Sequence, residues 1–346
     1  MRTAVLTEIE SLEVREVDMP QCKPGEVLIK SAACAICKTD TKMFHSGHRD
    51  LRLPRVLGHE IAGTIVEVGK GVTKFKKGDR VQIAPGLPCG SCPFCLKGIS
   101  NMCDNMSIIG FHCDGGFSQY MSIPANGVQN GCINKIPEHL SFEEAALAEP
   151  LACCINAQEL CHIKLGDVVV IFGAGPIGHL HVQLSRLFGA SEVILIENAP
   201  QRIAFSKNIE VDYLINSTEV DPAQAVKERT DGLGADVVIP ACSAPQVPIQ
   251  GIEMLKKRGR IVFFSGLPHG YENISIDHNL IHYKEIQIFG AYGCTSEQNR
   301  QAIRMLATKR INVGYLITHR ISLDRLIEGF ELIDSHNAME VVVTVF

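Results

Sequence analysis

The sequence predicts an α/β chain of two domains: an irregular β-rich N-terminal domain, then a doubly wound parallel sheet. Three observations carry this reading. Short apolar stretches broken by glycine and proline fill the first half. After Pro150 strand-like and helical segments alternate five or six times. A Gly-x-Gly-x-x-Gly turn joins the first of those strands to the first of those helices.

The N-terminal strands are legible as Glu26–Cys34, His59–Gly69 and Gly78–Gly86. Their punctuation by glycine and proline suits a largely antiparallel arrangement. Val168–Gly175 is a continuous apolar run, the pattern of a strand buried on both faces. A helix follows over Pro176–Phe188, then a strand at Val193–Glu197 and a helix over Pro200–Asn208. Further helices are expected near Pro222–Thr230, before the strand-like ADVVIPAC, and near Val247–Arg258, between ADVVIPAC and RIVFFSG. The tail carries helical stretches near Ser296–Lys309 and Leu323–Ser335 and ends in the strand-like MEVVVTVF. It breaks the alternation, so it is expected to fold back onto the first domain. The expected division is residues 1–150, completed by 291–346, and residues 151–290.

Composition limits the function. The chain has 346 residues, 46% hydrophobic and 21% charged, enough to bury a sizeable core. A net charge of -5 without a basic block argues against nucleic acid or an anionic membrane as partner. No apolar run approaches the roughly 18 residues of a membrane span. The opening MRTAVLTEIESLEV reads as a strand with early acids rather than a secretory signal. A cytoplasmic setting follows as the expectation, and there thiols stay reduced.

The glycine turn is Gly173-Ala174-Gly175-Pro176-Ile177-Gly178. Alone the pattern is weak; after a buried strand and opening a helix it is a dinucleotide fingerprint, with the helix N-terminus set to face a pyrophosphate. Glu197, nineteen residues past Gly178, stands at the end of the next strand. A carboxylate there accepts from a ribose diol and repels a 2′-phosphate, which favours NAD over NADP. Arg202 softens that preference, because an arginine nearby accommodates a phosphate. His179 and His181 follow the turn at helical spacing and are read as packing or solvent-facing residues.

Four of the fourteen cysteines, Cys89, Cys92, Cys95 and Cys103, lie on one short loop. Four thiolates close a tetrahedral zinc shell and leave no position for a substrate, so this site is read as structural. Iron–sulfur ligation is the alternative for such a set. Cys37, His59 and Glu60 are dispersed, and singly each is bland. Their setting is not: Gly58–Val72 fits G-H-E-x-x-G-x5-G-x-x-V residue for residue. With Cys37-Lys38-Thr39-Asp40, the four-cysteine loop, Asp114–Tyr120, Glu149-Pro150-Leu151 and the glycine turn in this order, the chain resembles the zinc-dependent medium-chain alcohol and polyol dehydrogenases over nearly its whole length.

That resemblance implies a GroES-like catalytic domain and a Rossmann domain, two zinc ions per chain, NAD, and a homodimer or homotetramer. It implies that Cys37 and His59 ligate a catalytic zinc, with Glu60 and Glu149 as the two carboxylates there, one of them a ligand. Glu149 in Glu-Pro-Leu matches the sorbitol and threonine dehydrogenase branch; simple alcohol dehydrogenases carry a cysteine near this point. Cys153 and Cys154, just beyond, are read as small packing residues. Thr39 would begin the proton route, and Asp40 would orient a ligating histidine. Lys38 and Lys42 replace residues common in relatives; a cation at either place could meet the cofactor pyrophosphate or a substrate phosphate. Lys42 is the favoured one, with His48, Arg49, Arg52 and Arg55 nearby. The implied reaction is hydride transfer between NAD and a secondary alcohol, a sugar alcohol or its phosphate. A threonine dehydrogenase, a simple alcohol dehydrogenase and a non-catalytic zinc-stabilised dinucleotide scaffold are the competing readings.

Overall fold

A computed structural model describes residues 1–346. Two compact units form: Met1–Ala152 with Cys294–Phe346, and Cys153–Gly293. No helix is long and apolar enough to cross a membrane.

The first unit is built on a seven-stranded, mostly antiparallel sheet. Its centre is Val27–Ala35, which pairs antiparallel with Glu60–Val68. The C-terminal strand Glu340–Val345 adds to the other side, with Val342 opposite Ala35. The tail therefore does fold back into the first unit, as its break in alternation suggested. Phe117, Phe330, Met43 and Leu57 fill the core. This pairing places Cys37, just past one central strand, near His59 and Glu60 at the start of its neighbour.

The second unit is a six-stranded parallel sheet. Numbered from Val168–Phe172 along the chain, its strands lie in the order 3-2-1-4-5-6, that of a Rossmann sheet. The period of two in a strand splits the apolar run between two cores. Val170, Ile194 and Val238 pack on one face. Val169, Ile171, Val193 and Leu195 pack on the other. One element differs from the sequence expectation. The helix from Val247 ends at Glu253, and a strand already starts at Leu255. Lys256, Lys257 and Arg258 read as helix formers, but Arg258 turns into the left-handed region at φ 61. Pairing of Leu255 with Ala235, followed by a register shift, overrides that local preference. Helices at Ala148–Leu160 and His278–Lys284 gave no separate signal.

The four-cysteine loop forms a small lobe of the first unit. The Sγ atoms of Cys89, Cys92, Cys95 and Cys103 all lie within 4.8 Å of one another. Backbone amides are aimed at the sulfurs: Cys89 N at Cys103 Sγ (3.2 Å), Cys92 N at Cys89 Sγ (3.4 Å) and Asn105 N at Cys103 Sγ (3.3 Å). Such donors favour thiolate, and backbone bonds bring Cys89 down to about 6. Burial first, and then hydrogen bonds with the thiols of Cys92, Cys103 and Cys89, instead push the Cys95 thiol up to about 12. The donor set thus fits one tetrahedral zinc. Cys95→Ser should lower the zinc content from about two to about one per chain and lower Tm, with kcat changed less than stability. Metal analysis with a thermal melt checks this; unchanged Tm with abolished turnover would reverse the assignment.

Candidate active site and cofactor turn

The dispersed residues converge. Ligand atoms of Cys37, His59 and Glu60 lie within 4.8 Å of one another. Cys37 caps the helix Lys38–Ser46, and Asp40, three residues on, reaches back to it: Cys37 N donates to Asp40 Oδ2 at 3.0 Å. The same carboxylate accepts from Gly58 N at 3.2 Å. Its Oδ1 faces His59 Nδ1 at 3.2 Å as an ion-pair partner. Asp40 engages Nδ1 and so leaves the other ring nitrogen as the one a metal would take.

The electrostatics match a cation site. Burial works against a charged His59, yet the charges of Asp40 and Cys37 push its pKa well above the ordinary range. Glu60 is pushed well above the carboxylate range by burial first, then by Cys37 and Glu340. Glu60 Oε2 is buried without a hydrogen-bond partner. One sulfur, one imidazole and a carboxylate with an unspent oxygen are a donor set that zinc fits. Glu149, expected as a possible ligand, lies outside this three-residue group; its charge still raises Glu60, and its Oε1 is 4.0 Å from Cys294 Sγ.

The neighbouring predicted residues sort differently. Thr39 is half-buried on the first turn of the helix. Lys38 is ion-paired to Asp334, so it is engaged within this unit rather than held for a phosphate. Asp334 also accepts from Thr41 Oγ1 and His45 Nε2, each at 2.9 Å, and so anchors the helix that Cys37 caps. Lys42 is exposed. His48 packs edge-on to Phe111 at 5.4 Å, and Phe111 packs on His59 at 5.5 Å. The His45–Arg55 segment therefore approaches the His59 group through its rings, while Arg55 is tied to Asp114. Sequence reasoning did not find Asp334, Glu340 or Cys294. Each is a common residue type far along the chain from the motif it serves, and no spacing marks it.

In the second unit the glycine turn has the expected form. Gly173 sits at φ 96, which an L side chain rarely adopts. A Cβ on Gly178 would lie 1.8 Å from Gly173 O, so only glycine allows the helix to start this close to the strand. The helix begins with Pro176 directly after Gly175, and Ile177 follows in its first turn. Glu197 ties the turn to the next strand: it accepts from Ala174 N (2.7 Å), Asn198 N (2.7 Å) and Ala199 N (2.9 Å). A Cβ on Gly175 would lie 3.5 Å from the Arg202 guanidinium carbon, which places a cation beside the turn. His179 and His181 are fully buried, and burial lowers their pKa values to about 4 and about 3. They are neutral packing residues.

Known proteins share both halves. The profile of the alcohol dehydrogenase GroES-like domain matches residues 23–135, and that of the zinc-binding dehydrogenases matches residues 176–308. L-threonine 3-dehydrogenase of Pyrococcus furiosus is 34% identical over 95% of this chain and 94% of its own length. Sorbitol dehydrogenase of Halalkalibacterium halodurans is 32% identical over 99% of both chains. Among solved structures, a protein of Sinorhizobium meliloti described as a zinc-binding dehydrogenase and bound to NADP superposes with a TM-score of 0.92. It is 32% identical and covers 99% of this chain and 98% of its own. With the thiol–imidazole–carboxylate group in one unit and the dinucleotide turn in the other, the chain belongs to the zinc-dependent medium-chain alcohol and polyol dehydrogenases, oxidoreductases of CH–OH groups.

Proposed function

We propose that this enzyme oxidises a secondary alcohol of a sugar alcohol, or of its phosphate, to the ketose with NAD, and reduces the ketose in reverse. The observation that carries the site assignment is the group formed by half-buried Cys37 with buried His59 and Glu60, with Glu60 Oε2 unspent and Asp40 engaging His59. In this reading those three residues hold the catalytic zinc, and Glu149 is the second carboxylate beside it. Bound there, zinc supplies Lewis-acid polarisation of the substrate oxygen. Asp40 fixes the imidazole's orientation and tautomer, and holds the Cys37 cap and the Gly58 turn in register. Thr39, two residues past Cys37, takes the hydroxyl proton and passes it outward. The substrate C–H bond gives its hydride to nicotinamide C4. The second metal position, at Cys89, Cys92, Cys95 and Cys103, takes no part in the reaction.

The carboxylate of Glu197 beside the turn supports NAD, and the guanidinium of Arg202 supports tolerance of a 2′-phosphate; the charge nearest the ribose decides between them. The choice of a polyol over a simple alcohol rests on Glu149 standing where a cysteine would suit the latter. A homodimer or homotetramer in the cytoplasm completes the reading. The strand Gln287–Gly290 closes the parallel sheet on one side, and exposed Ile288 and Tyr292 lie on or just past it, which supports pairing between copies.

A panel of polyols, polyol phosphates, threonine and simple alcohols, followed by NADH absorbance, tests this. The expected outcome is turnover of a polyol or its phosphate with kcat/KM at least about tenfold above threonine and ethanol. Replacing NAD by NADP should lower kcat/KM; a preference for NADP would overturn the cofactor assignment. Lys42→Ala separates the two polyol classes. If the substrate is phosphorylated, KM for the phosphate should rise about tenfold or more while that for the free polyol barely moves. Equal effects would remove Lys42 from phosphate recognition.

A further inference from the structure

A row of buried side chains in the first unit runs from the sheet to Glu149. Asn134 and Gln82 face each other on paired antiparallel strands. Asn134 Nδ2 donates to Gln82 Oε1 at 2.9 Å. Gln82 Nε2 donates to Asn299 Oδ1 at 3.1 Å. Asn299 Nδ2 donates to Cys294 Sγ at 3.1 Å, and the Cys294 thiol donates to Glu149 Oε1 at 4.0 Å. The three amides are 0%, 5% and 1% exposed for Gln82, Asn134 and Asn299. Buried amides are costly unless paired, and here the pairing forms one continuous line.

The direction of that line is fixed by the backbone. Gln82 Nε2 also donates to Ile83 O at 2.7 Å, and Asn299 Nδ2 to Thr295 O at 3.2 Å. Turning either amide over would set its oxygen against a carbonyl oxygen. Every donor therefore points toward Glu149, and dipoles aligned head to tail reinforce one another. Asn299 occupies the lone-pair side of the sulfur, so the thiol proton is directed at the carboxylate. A thiol is a weak donor. At 4.0 Å it guides the carboxylate without binding it firmly.

We propose that Cys294 and Asn299 are positioning residues for the reaction: the directed chain Asn134–Gln82–Asn299–Cys294 sets the place of the Glu149 carboxylate beside the Cys37–His59–Glu60 group. The inference rests on the reading of Glu149 as the second carboxylate of the metal centre. It explains three buried amide side chains that are far from one another in sequence. It also gives a role to a thiol that is neither in the four-cysteine loop nor in the Cys37 group.

The test is a double-mutant cycle. Cys294→Ala and Asn299→Asp are made alone and with Glu149→Gln. They are read by kcat and KM on the best substrate and by the visible d–d spectrum of cobalt-substituted protein. The four-cysteine cobalt contributes equally to all variants and cancels in difference spectra. Asn299→Asp keeps the acceptor for Gln82 and removes the donor to Cys294 Sγ together with that to Thr295 O, so it is compared with Thr295→Ala, which leaves the donor to sulfur in place. Cys294→Ala and Asn299→Asp should each lower kcat about tenfold with KM changed much less, and shift the cobalt bands at unchanged metal content. Neither should lower kcat further in the Glu149→Gln background. Losses that multiply in that background overturn the inference and leave the role of Glu149 standing. A silent Glu149→Gln, in both kcat and spectrum, overturns the reading of Glu149 and the inference with it. Should Cys294→Ala fail to fold, the near-isosteric Asn299→Asp decides alone.

Discussion

The arrangement of the first unit's chemistry depends on one buried carboxylate. Asp40 is 0% exposed and has no lysine or arginine partner among its contacts. A buried carboxylate is tolerated only when its oxygens are engaged. Here Cys37 N and Gly58 N donate to it, and the His59 ring faces it. Those groups belong to two separate segments, the cap of the Lys38–Ser46 helix and the turn entering the Glu60–Val68 strand. Asp40 stands in the first turn of the helix, where the macrodipole also favours an anion. One side chain thereby fixes the spacing between a thiol and an imidazole that are more than twenty residues apart in sequence. The same helix is held along its length by Asp334, through Lys38 in its first turn, then Thr41 and His45.

Around this anchor the acids are stacked against electrostatic cost. Glu60 and Glu340 are both buried, and burial lifts Glu340 to about 8. Without a compensating cation such a group would hold protons instead of charge. The unit thus concentrates carboxylates where only a divalent ion, or protons, can balance them. The four-cysteine lobe solves a different problem. Its sulfurs are served by amides of their own loop, so it can close around a metal without drawing on the rest of the fold.

How much of this is legible in sequence follows from how local each feature is. The parallel sheet, the glycine turn and the cysteine loop are written in contiguous residues, and each forms within its own stretch of chain. Glu197 was legible as an acid at a strand end, but not the three amides that pin it to the turn, because those depend on backbone geometry. The helix after Val247 was overextended because Lys256–Arg258 favour helix locally, while pairing of Leu255 beside Ala235 decides otherwise. Lys38 was legible as a cation and not as the partner of Asp334, nearly three hundred residues away. Cys294 and Asn299 were silent for the same reason: only the fold brings them to Glu149.

In the proposed reading, two metal positions of opposite purpose share one unit, and the dispersed one is reactive. Stepwise chelation, with zinc content, turnover and Tm measured on the same samples, tests it most directly. Activity should fall with the first zinc removed while Tm changes little, and unfolding should follow loss of the second. Turnover that persists at one zinc per chain, with Tm already collapsed, would contradict it.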